Sequence, residues 1–508
     1  MVRRSPTFAL LALGAAACTQ ILGNDFVIVD TTAAGGSGGG GGGDGRALGD
    51  PCEDDSGCDS GFCADGVCCD EVCDGACQAC DLPGDVGLCS GTTGEVCGTA
   101  GCSDGIFVDE AICDAGVCPD TSRACLLGVC DGPDACMTVV DLSLGNGHTC
   151  AVWSDGSLRC WGSGSQGQLG QGDADMLFRN VPTVVPGLEN VIGVGAGGFH
   201  TCARFEDGTV SCWGYSNAGQ NGRLMSSGVP ALVAGLADVS DLGLGQEHSC
   251  AVLTTGEAMC WGLNAESELG RGIDSPIFTE VPDFVCPVGS VGPCVGNQAT
   301  DIAEIHGGSY HTCLLTTGGV AACWGLANNG RTSHATDTDN PTEVYLGGDS
   351  ATSVSVGTAH SCVAAAGGSA RCWGGNTAGQ LGDPNAGTES QFALHVYTDA
   401  AGTTLLNGAL AVASFSSSTC ALRIGGDIRC WGENDSGQLG DGTMSNDSFF
   451  AVANGITADA TLVRVGGGHA CALVGTEDLR CWGGNSGGQL GNGDPTLANQ
   501  PTPVPVTW

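Results

Sequence analysis

The chain has 508 residues and a formal net charge of −41, and its 15 basic side chains are all arginine. Because nucleic acids and anionic membranes are bound mainly through basic side chains, this composition argues against DNA, RNA or a membrane surface as the partner. The lack of lysine excludes a lysine Schiff base or a P-loop. The 89 glycines indicate many tight turns between short strands, and the 33 cysteines indicate an oxidising compartment unless they bind metal.

The first residues have the pattern of an export signal. Arg3 and Arg4 precede an apolar stretch, residues 8–17, that is too short to span a bilayer as a permanent helix. Cys18 then follows three alanines in a context that resembles a bacterial lipobox, although Ala15 stands where leucine is usual and an ordinary signal-peptidase site fits the same residues. The other 32 cysteines form two sets of 16, which leaves Cys18 unpaired and favours its lipidation. We therefore expect a signal peptide over residues 1–17 and a lipid anchor at Cys18, at the outer membrane or cell surface.

Two low-complexity segments follow the signal. Residues 18–49 are rich in glycine and are expected to form a flexible tether. Residues 50–137 hold 16 cysteines and few large apolar side chains, so cross-links must hold this module together. A zinc site, for example at Cys77 and Cys80, is the alternative to eight disulfides. The segment has no histidine, which favours disulfides, but the sequence does not reveal their connectivity or whether calcium binds.

A repeat with seven copies begins at residue 138. Each copy contains two cysteines ten residues apart, the second followed by tryptophan and glycine, as in Cys150, Cys160 and Trp161. The first cysteines of successive copies lie 48 to 63 residues apart, and a period near 50 is typical of a propeller or a solenoid.

The spacing within the repeat predicts a β-hairpin with a disulfide across it. If Cys150 faces Cys160, then Val152 faces Leu158 and Gly156 ends a three-residue loop, the position where such a loop needs a left-handed residue. Facing positions are close enough for a disulfide. Two further cysteines lie in an insertion and are expected to pair locally. The predicted pairs are Cys150–Cys160, Cys202–Cys212, Cys250–Cys260, Cys286–Cys294, Cys313–Cys323, Cys362–Cys372, Cys420–Cys430 and Cys471–Cys481.

The segments between hairpins supply the other strands. Val181–Pro182 and Val229–Pro230 begin short strands that suit a sheet edge, because proline cannot donate to a neighbouring strand. An apolar run such as residues 191–195 follows, which makes four strands per repeat, as in a propeller blade. The first hairpin has no proline strand before it, and residues 500–506 form such a strand with no hairpin after it. We expect this C-terminal strand to complete the first blade and so close the ring.

The frame H-[ST]-x-A-L…G…W-G-x-N…G-Q-L-G over residues 138–508 resembles the regulator of chromosome condensation repeat. The resemblance implies an all-β, seven-bladed propeller. The founder of that family is a nuclear guanine-nucleotide exchange factor that docks on nucleosomes, an activity that needs a basic surface and a cytosolic GTPase. This chain is acidic and has an export signal, and its paired cysteines depart from the cytosolic pattern.

Two residue types recur at fixed positions of the repeat and are candidate site residues. Histidines at one position of six repeats suggest either a ring of metal ligands or a structural contact repeated with the blade, and the second is favoured because Ser418 replaces the histidine once. The tryptophans are expected to pack between blades rather than to form a stacking platform. The histidines are His148, His200, His248, His311, His360 and His469; the tryptophans are Trp161, Trp213, Trp261, Trp324, Trp373, Trp431 and Trp482.

These patterns predict a function in binding. We expect a monomeric, non-enzymatic, exported binding or scaffold protein without cofactor or metal, whose partner is a protein or a glycan. Its variable loops lie near residues 263–300, 331–343, 383–407 and 441–449. The alternatives are an exchange-factor-like regulator, or a polysaccharide lyase or hydrolase that uses a carboxylate pair at the channel mouth.

Overall fold

The computed structural model describes short strands between residues 63 and 124, and residues 137–508 except 174, 273–275, 295, 457 and 508. The chain divides into two compact units, residues 1–124 with 132–135 and residues 125–131 with 136–508. The predicted signal peptide, Cys18 and the tether lie outside the described residues. So do the cysteine side chains of residues 50–137, so their disulfides stay a prediction.

In the first unit, the described residues form nine strands of two or three residues. They pair as β1 with β2, β3 with β4, β5 with β8, and β7 with both β6 and β9, all antiparallel. Their bounds are β1 Cys63–Ala64, β2 Val67–Cys68, β3 Gln78–Ala79, β4 Ser90–Gly91, β5 Val96–Gly98, β6 Gly101–Ser103, β7 Ile106–Val108, β8 Ala111–Ile112 and β9 Ser122–Ala124.

The second unit is a seven-bladed β-propeller, as predicted. Each blade is a four-stranded antiparallel sheet whose strands follow one another in the chain. Blades 1 to 3 comprise β10 Val139–Leu144, β11 His148–Trp153, β12 Leu158–Gly162 and β13 Arg179–Val184; β14 Val191–Ala196, β15 His200–Phe205, β16 Val210–Gly214 and β17 Ser227–Leu232; and β18 Val239–Leu244, β19 His248–Leu253, β20 Ala258–Leu263 and β21 Phe278–Phe284. Blades 4 and 5 comprise β22 Ile302–Gly307, β23 His311–Thr316, β24 Ala321–Gly325 and β25 Thr338–Glu343, with a 3-10 turn at Asn328–Gly330; and β26 Ala351–Val356, β27 His360–Ala365, β28 Ala370–Gly375 and β29 Glu389–His395. Blades 6 and 7 comprise β30 Ala409–Phe415, β31 Ser418–Arg423, β32 Ile428–Gly432 and β33 Asp447–Val452; and β34 Ala460–Val465, β35 His469–Val474, β36 Asp478–Gly483 and β37 Gln500–Pro505.

The hairpin of each blade has the register that the cysteine spacing predicts. Cys150 faces Cys160 and Val152 faces Leu158 in blade 1, and Gly156 has a φ of 77° in the turn. The left-handed conformation at this position is one that glycine adopts without steric cost. The same pairing of cysteines recurs in all seven blades.

The core is divided among the seven junctions between blades. At the first junction, Val152 and Leu158 of blade 1 pack with Val194 and Trp213 of blade 2, and the disulfide cysteines of blade 1 belong to the same buried cluster. The seven tryptophans after the second cysteines are fully buried, so the prediction that they pack between blades is confirmed. Each blade is thus stabilised mainly by its neighbours, as in other repeat folds.

The prediction that the C-terminal strand completes the first blade is wrong. Gln500–Pro505 pairs with the preceding hairpin, with Val504 facing Cys481, and is the outer strand of blade 7. Blade 1 has its own outer strand, Arg179–Val184. Every proline-containing strand pairs with the hairpin before it, because the loop after that hairpin returns the chain to its open edge. The ring closes instead by packing of blade 7 on blade 1, through a cluster that includes Leu142 and Leu490.

Candidate functional site

The six repeated histidines each reach into the next blade. Each begins the second strand of its blade, is fully buried, and places its Nε2 atom within hydrogen-bond distance of a hydroxyl group on the following blade. The pairs are His148–Thr201 at 3.0 Å, His200–Ser249 at 2.8 Å, His248–Thr312 at 2.9 Å, His311–Ser361 at 2.9 Å, His360–Thr419 at 2.7 Å and His469–Thr149 at 2.9 Å. We call this set the histidine belt; its last pair joins blade 7 to blade 1.

A second set of hydrogen bonds determines which group donates in each histidine–hydroxyl pair. The Thr201 hydroxyl donates to the main-chain oxygen of Gln168 at 2.9 Å, and Trp213 Nε1 donates to the same oxygen at 2.9 Å. Since the hydroxyl proton is used in this way, Thr201 accepts a hydrogen bond from His148, which therefore carries its proton on Nε2. Ser249 and Trp261 converge on Gln220 in the same manner in the next blade.

Burial keeps the histidines of the belt neutral. It lowers the pKa of His148 and His248 to about 4, the pKa of His200, His360 and His469 to about 3, and the pKa of His311 well below its usual value. The Nδ1 atoms are buried without a hydrogen-bond partner, so a second proton on the ring would have no acceptor. Each imidazole faces a different junction, and the structure does not bring the six together. The belt is therefore a structural contact between blades.

The cysteine pairs that the sequence predicts in the propeller are joined in the structure. The seven hairpin disulfides have Cα–Cα distances of 4.0–4.1 Å, the close spacing of facing residues that share no ladder hydrogen bond. Cys286 and Cys294 form a disulfide within the connection between blades 3 and 4. Among the residues that the structure describes, no group of three or more His, Cys, Asp or Glu side chains is placed to hold a metal ion.

The innermost strands of the seven blades surround a channel with a cavity of about 610 Å³. Its charged lining comprises Asp141, Asp241, Glu304, His306 and Arg464. Asp141 accepts a hydrogen bond from the Val194 N–H at 2.8 Å. His306 Nε2 lies 3.8 Å from the Glu304 carboxylate. No repeat pattern in the sequence marks these residues, since the other blades have small or uncharged side chains at the same positions.

The channel carboxyl groups differ in proton affinity. Burial raises the pKa of Asp141, against the lowering effect of Arg464. Burial also raises the pKa of Asp241, to which the charges of Glu304 and Asp141 add while His306 opposes them. For Glu304, burial acts to raise the pKa, but the nearby His306 side chain, the hydrogen bond from the Val354 N–H and the charge of Arg464 bring it below its usual value. Burial thus raises the pKa of Asp241, whereas the neighbours of Glu304 lower the pKa of that carboxyl.

Loops lie on two faces of the propeller. On one, which we call the turn face, the turn between the first two strands of a blade meets the loop between its last two, as where Tyr215 N–H donates to the Phe199 oxygen at 2.9 Å. The opposite hairpin face carries the hairpin turns and the connections between blades, which meet where Val191 N–H donates to the Gly156 oxygen at 3.0 Å. The predicted variable segments 263–300 and 383–407 contribute to both faces, and each includes an outer strand.

Two side chains form a bridge between turns on the turn face of the propeller. Asn146 and Gln246, on the turns of blades 1 and 3, exchange two amide hydrogen bonds of 3.0 and 3.1 Å across the turn of blade 2. Gly198 lies beneath this bridge, where a Cβ atom would be 2.5 Å from the Gln246 amide oxygen. Main-chain hydrogen bonds also link neighbouring turns, such as Gly467 N–H to the Gly145 oxygen at 3.0 Å.

Comparison with known proteins identifies the repeat. Two family models, each described as "Regulator of chromosome condensation (RCC1) repeat", match the chain, one over residues 155–204 and the other over 139–168, 191–220, 239–268, 351–380 and 412–438. The human "Probable E3 ubiquitin-protein ligase HERC3" is 40% identical over 87 residues, 17% of this chain and 8% of that protein. The Caenorhabditis elegans "X-linked retinitis pigmentosa GTPase regulator homolog" is 33% identical over 86 residues, 17% of this chain and 6% of that protein. The chain thus spans less than a tenth of the length of these curated relatives.

Solved structures resemble the propeller in fold. Human WBSCR16 has a TM-score of 0.59 at 20% identity, over 68% of this chain and 93% of that one. Prp20p of Saccharomyces cerevisiae has a TM-score of 0.55 at 20% identity, over 69% of this chain and 85% of that one. At this identity the likeness shows the fold alone. No helix among the described residues is long and apolar enough to cross a bilayer.

Proposed function

The chain carries regulator of chromosome condensation repeats folded into a seven-bladed propeller, and from this premise we propose that it is an exported, non-enzymatic binding or scaffold protein. It is anchored at the cell envelope through Cys18 and presents its loops to a protein or glycan partner. The proposal rests on how the repeated residues are used. The histidines, hydroxyl groups, tryptophans and cysteines of the repeat all contact other parts of the ring, so the loops are the parts that are free to differ. Variable loops on a rigid scaffold are a common binding architecture.

Export is supported by the sequence of the first 18 residues and by the cross-linked hairpins, which suit an oxidising compartment. Mass analysis of the mature N-terminus in the cell that makes the protein tests it. We expect a lipid-modified Cys18 in the membrane fraction and loss of the anchor in Cys18→Ala. An N-terminus that retains residues 1–17 would refute export. It would favour the rival function, GTPase regulation, which the printed name of the nematode relative suggests.

Binding is tested with the whole protein immobilised and exposed to a cell-envelope extract. We expect a partner that is retained by the oxidised protein and lost after reduction and unfolding. The same preparation is assayed for turnover of envelope polysaccharides, because Asp241 and Glu304 both line the channel and their pKa values are shifted in opposite directions, upward for Asp241 and downward for Glu304. Turnover that disappears in Asp241→Asn, with no captured partner, would replace the binding function by a lyase or hydrolase.

A further inference from the structure

Three consecutive blades expose apolar side chains at the same position of the repeat, just before the outer strand on the turn face. Blade 1 exposes Leu177 to 66%, blade 2 exposes Met225 to 76% and blade 3 exposes Ile277 to 61%. In each blade an adjacent apolar residue is also exposed, namely Phe178, Leu224 and Phe278. Because consecutive blades are neighbours in the ring, the three pairs form one arc, which we call the apolar arc.

The fold itself does not require apolar residues at this position. At the same two positions blades 4 to 7 have Thr336–Asp337, Thr388–Glu389, Ser445–Asn446 and Ala498–Asn499, with an exposed Met444 beside the third pair, and these four blades form the same sheets. The repeat thus contains its own comparison, in which small and polar residues serve the structure equally well. Exposed leucine, methionine, isoleucine and phenylalanine on adjacent blades therefore need a reason outside the fold, and clustered exposed apolar residues mark interaction sites.

The charge around the arc is negative. Asp173 and Glu280 lie on the loops and outer strands that carry the arc, and the chain as a whole has a net charge of −41. Asp173 is exposed, and it also accepts hydrogen bonds from the Ser227 hydroxyl at 2.9 Å and the Gly228 N–H at 2.6 Å. The neighbouring arginines are engaged within the propeller. Arg223 donates to the Cys212 and Val229 oxygens at 3.1 and 3.2 Å, and Arg179 pairs with Asp175. A partner that covers the arc thus meets acidic side chains at its rim.

We propose, building on the binding function above, that the apolar arc is the docking surface for a protein segment with large apolar side chains flanked by arginine or lysine. Its apolar residues pack on the three pairs, and its basic residues face the acidic rim. Methionine and aromatic residues are enriched in the centres of such interfaces, where a few side chains provide most of the affinity. Net negative charge opposes both a second copy of this chain and an anionic bilayer as the occupant.

The test uses the oxidised whole protein as bait for a random peptide library displayed on phage. Selected peptides are synthesised and their affinities measured for the unchanged protein, for the triple variant Leu177→Ser, Met225→Ser and Ile277→Ser, and for the control Tyr345→Ser. Tyr345 is 81% exposed and lies on the hairpin face. We expect peptides that combine apolar and basic residues, with affinity that falls as salt rises. The triple substitution should weaken binding by at least roughly tenfold, and the control should not.

Three outcomes overturn the proposal. The first is a library that yields no binding peptide, or peptides that bind the triple variant as well as the unchanged protein. The second is enrichment of acidic peptides. The third is self-association, or binding to vesicles of phosphatidylglycerol, that the triple variant abolishes. If the triple variant still captures the envelope partner, the binding function stands and only the location of its surface is wrong.

Discussion

Replacing His200 by serine should make the stability of the propeller less sensitive to acid. His200 donates to Ser249 at 2.8 Å across the junction of blades 2 and 3, and burial lowers its pKa to about 3. An unfolded histidine has a pKa of about 6.5. Below that pH the unfolded chain therefore binds a proton that the native chain does not, so acid lowers the stability of the unchanged protein. Serine is the residue that blade 6 already has at this position.

The size of the effect follows from the two pKa values. Each pH unit between them changes the free energy of unfolding by about 1.4 kcal/mol per group, so His200 alone removes about 2.7 kcal/mol between pH 6.5 and pH 4.5. At pH 7.5 the variant should be less stable by about 1–3 kcal/mol, because a buried hydrogen bond is lost and Ser249 loses its donor. At pH 4.5 this deficit should shrink by about 2.7 kcal/mol.

Urea unfolding at pH 7.5 and 4.5, with the disulfides intact, measures both deficits. Other titrating groups act equally in the two proteins, so they cancel in the difference. Trp261→Phe is the matched control, since it removes a hydrogen bond of 3.0 Å to Gln220 at the same junction without removing an ionisable group. Its deficit should be the same at both pH values. If the His200→Ser deficit were equally constant, the argument that buried neutral histidines make the ring acid-sensitive would be refuted.

Three further predictions concern the stability of the blades. Burial raises the pKa of Glu268 to about 7 from an ordinary 4.5, so the stability of the protein falls as pH rises between these values. Glu268→Gln should therefore increase the free energy of unfolding in urea by about 3 kcal/mol at pH 8 and leave it unchanged at pH 4. An equal gain at both pH values would contradict this. Cys202→Ala with Cys212→Ala should lower the free energy of unfolding by about 2–3 kcal/mol, and an unchanged urea midpoint would show that the hairpin disulfide contributes nothing. A Cβ atom at Gly243 would lie 1.9 Å from a carbonyl oxygen of blade 4, so Gly243→Ala should lower the melting temperature, whereas Gly367→Ala, with open space around it, should not.

The hairpin was readable from the sequence because two local constraints agree. The cysteine spacing fixes which residues face each other, and Gly156 fixes the turn, so register and disulfide follow together. The sequence does not show in the same way which hairpin each outer strand pairs with. A strand that lies between two hairpins can pair with either, and hydrophobic pattern does not distinguish the two. The assignment of Gln500–Pro505 to blade 1 failed for this reason, and only its pairing with β36 settles the question.

The channel carboxyl groups could not be predicted from the sequence, for another reason. Asp141, Asp241 and Glu304 share one position of the repeat, but the other four blades have glycine, serine, alanine or leucine there, so no seven-fold pattern marks that position. Their proximity is a consequence of ring closure, and their pKa values depend on Arg464 of blade 7 and on His306, which lies on the same strand as Glu304. A repeat pattern predicts the residues that every blade shares, whereas this lining consists of residues in which the blades differ.

The hydroxyl partners of the histidine belt could be predicted in part. The sequence indicates them, but only when each repeat is compared with the next. The hydroxyl group belongs to the second residue of a blade's second strand. That residue is threonine or serine in every blade whose preceding blade has a belt histidine. At the junction of blades 6 and 7 both members change together, with Ser418 in place of the histidine and Ala470 in place of the hydroxyl. Loss of one partner would leave a buried imidazole or hydroxyl group unsatisfied, whereas loss of both costs little. Covariation between one repeat and the next therefore identifies a contact between blades, and it identifies the histidine as a structural donor rather than a ligand.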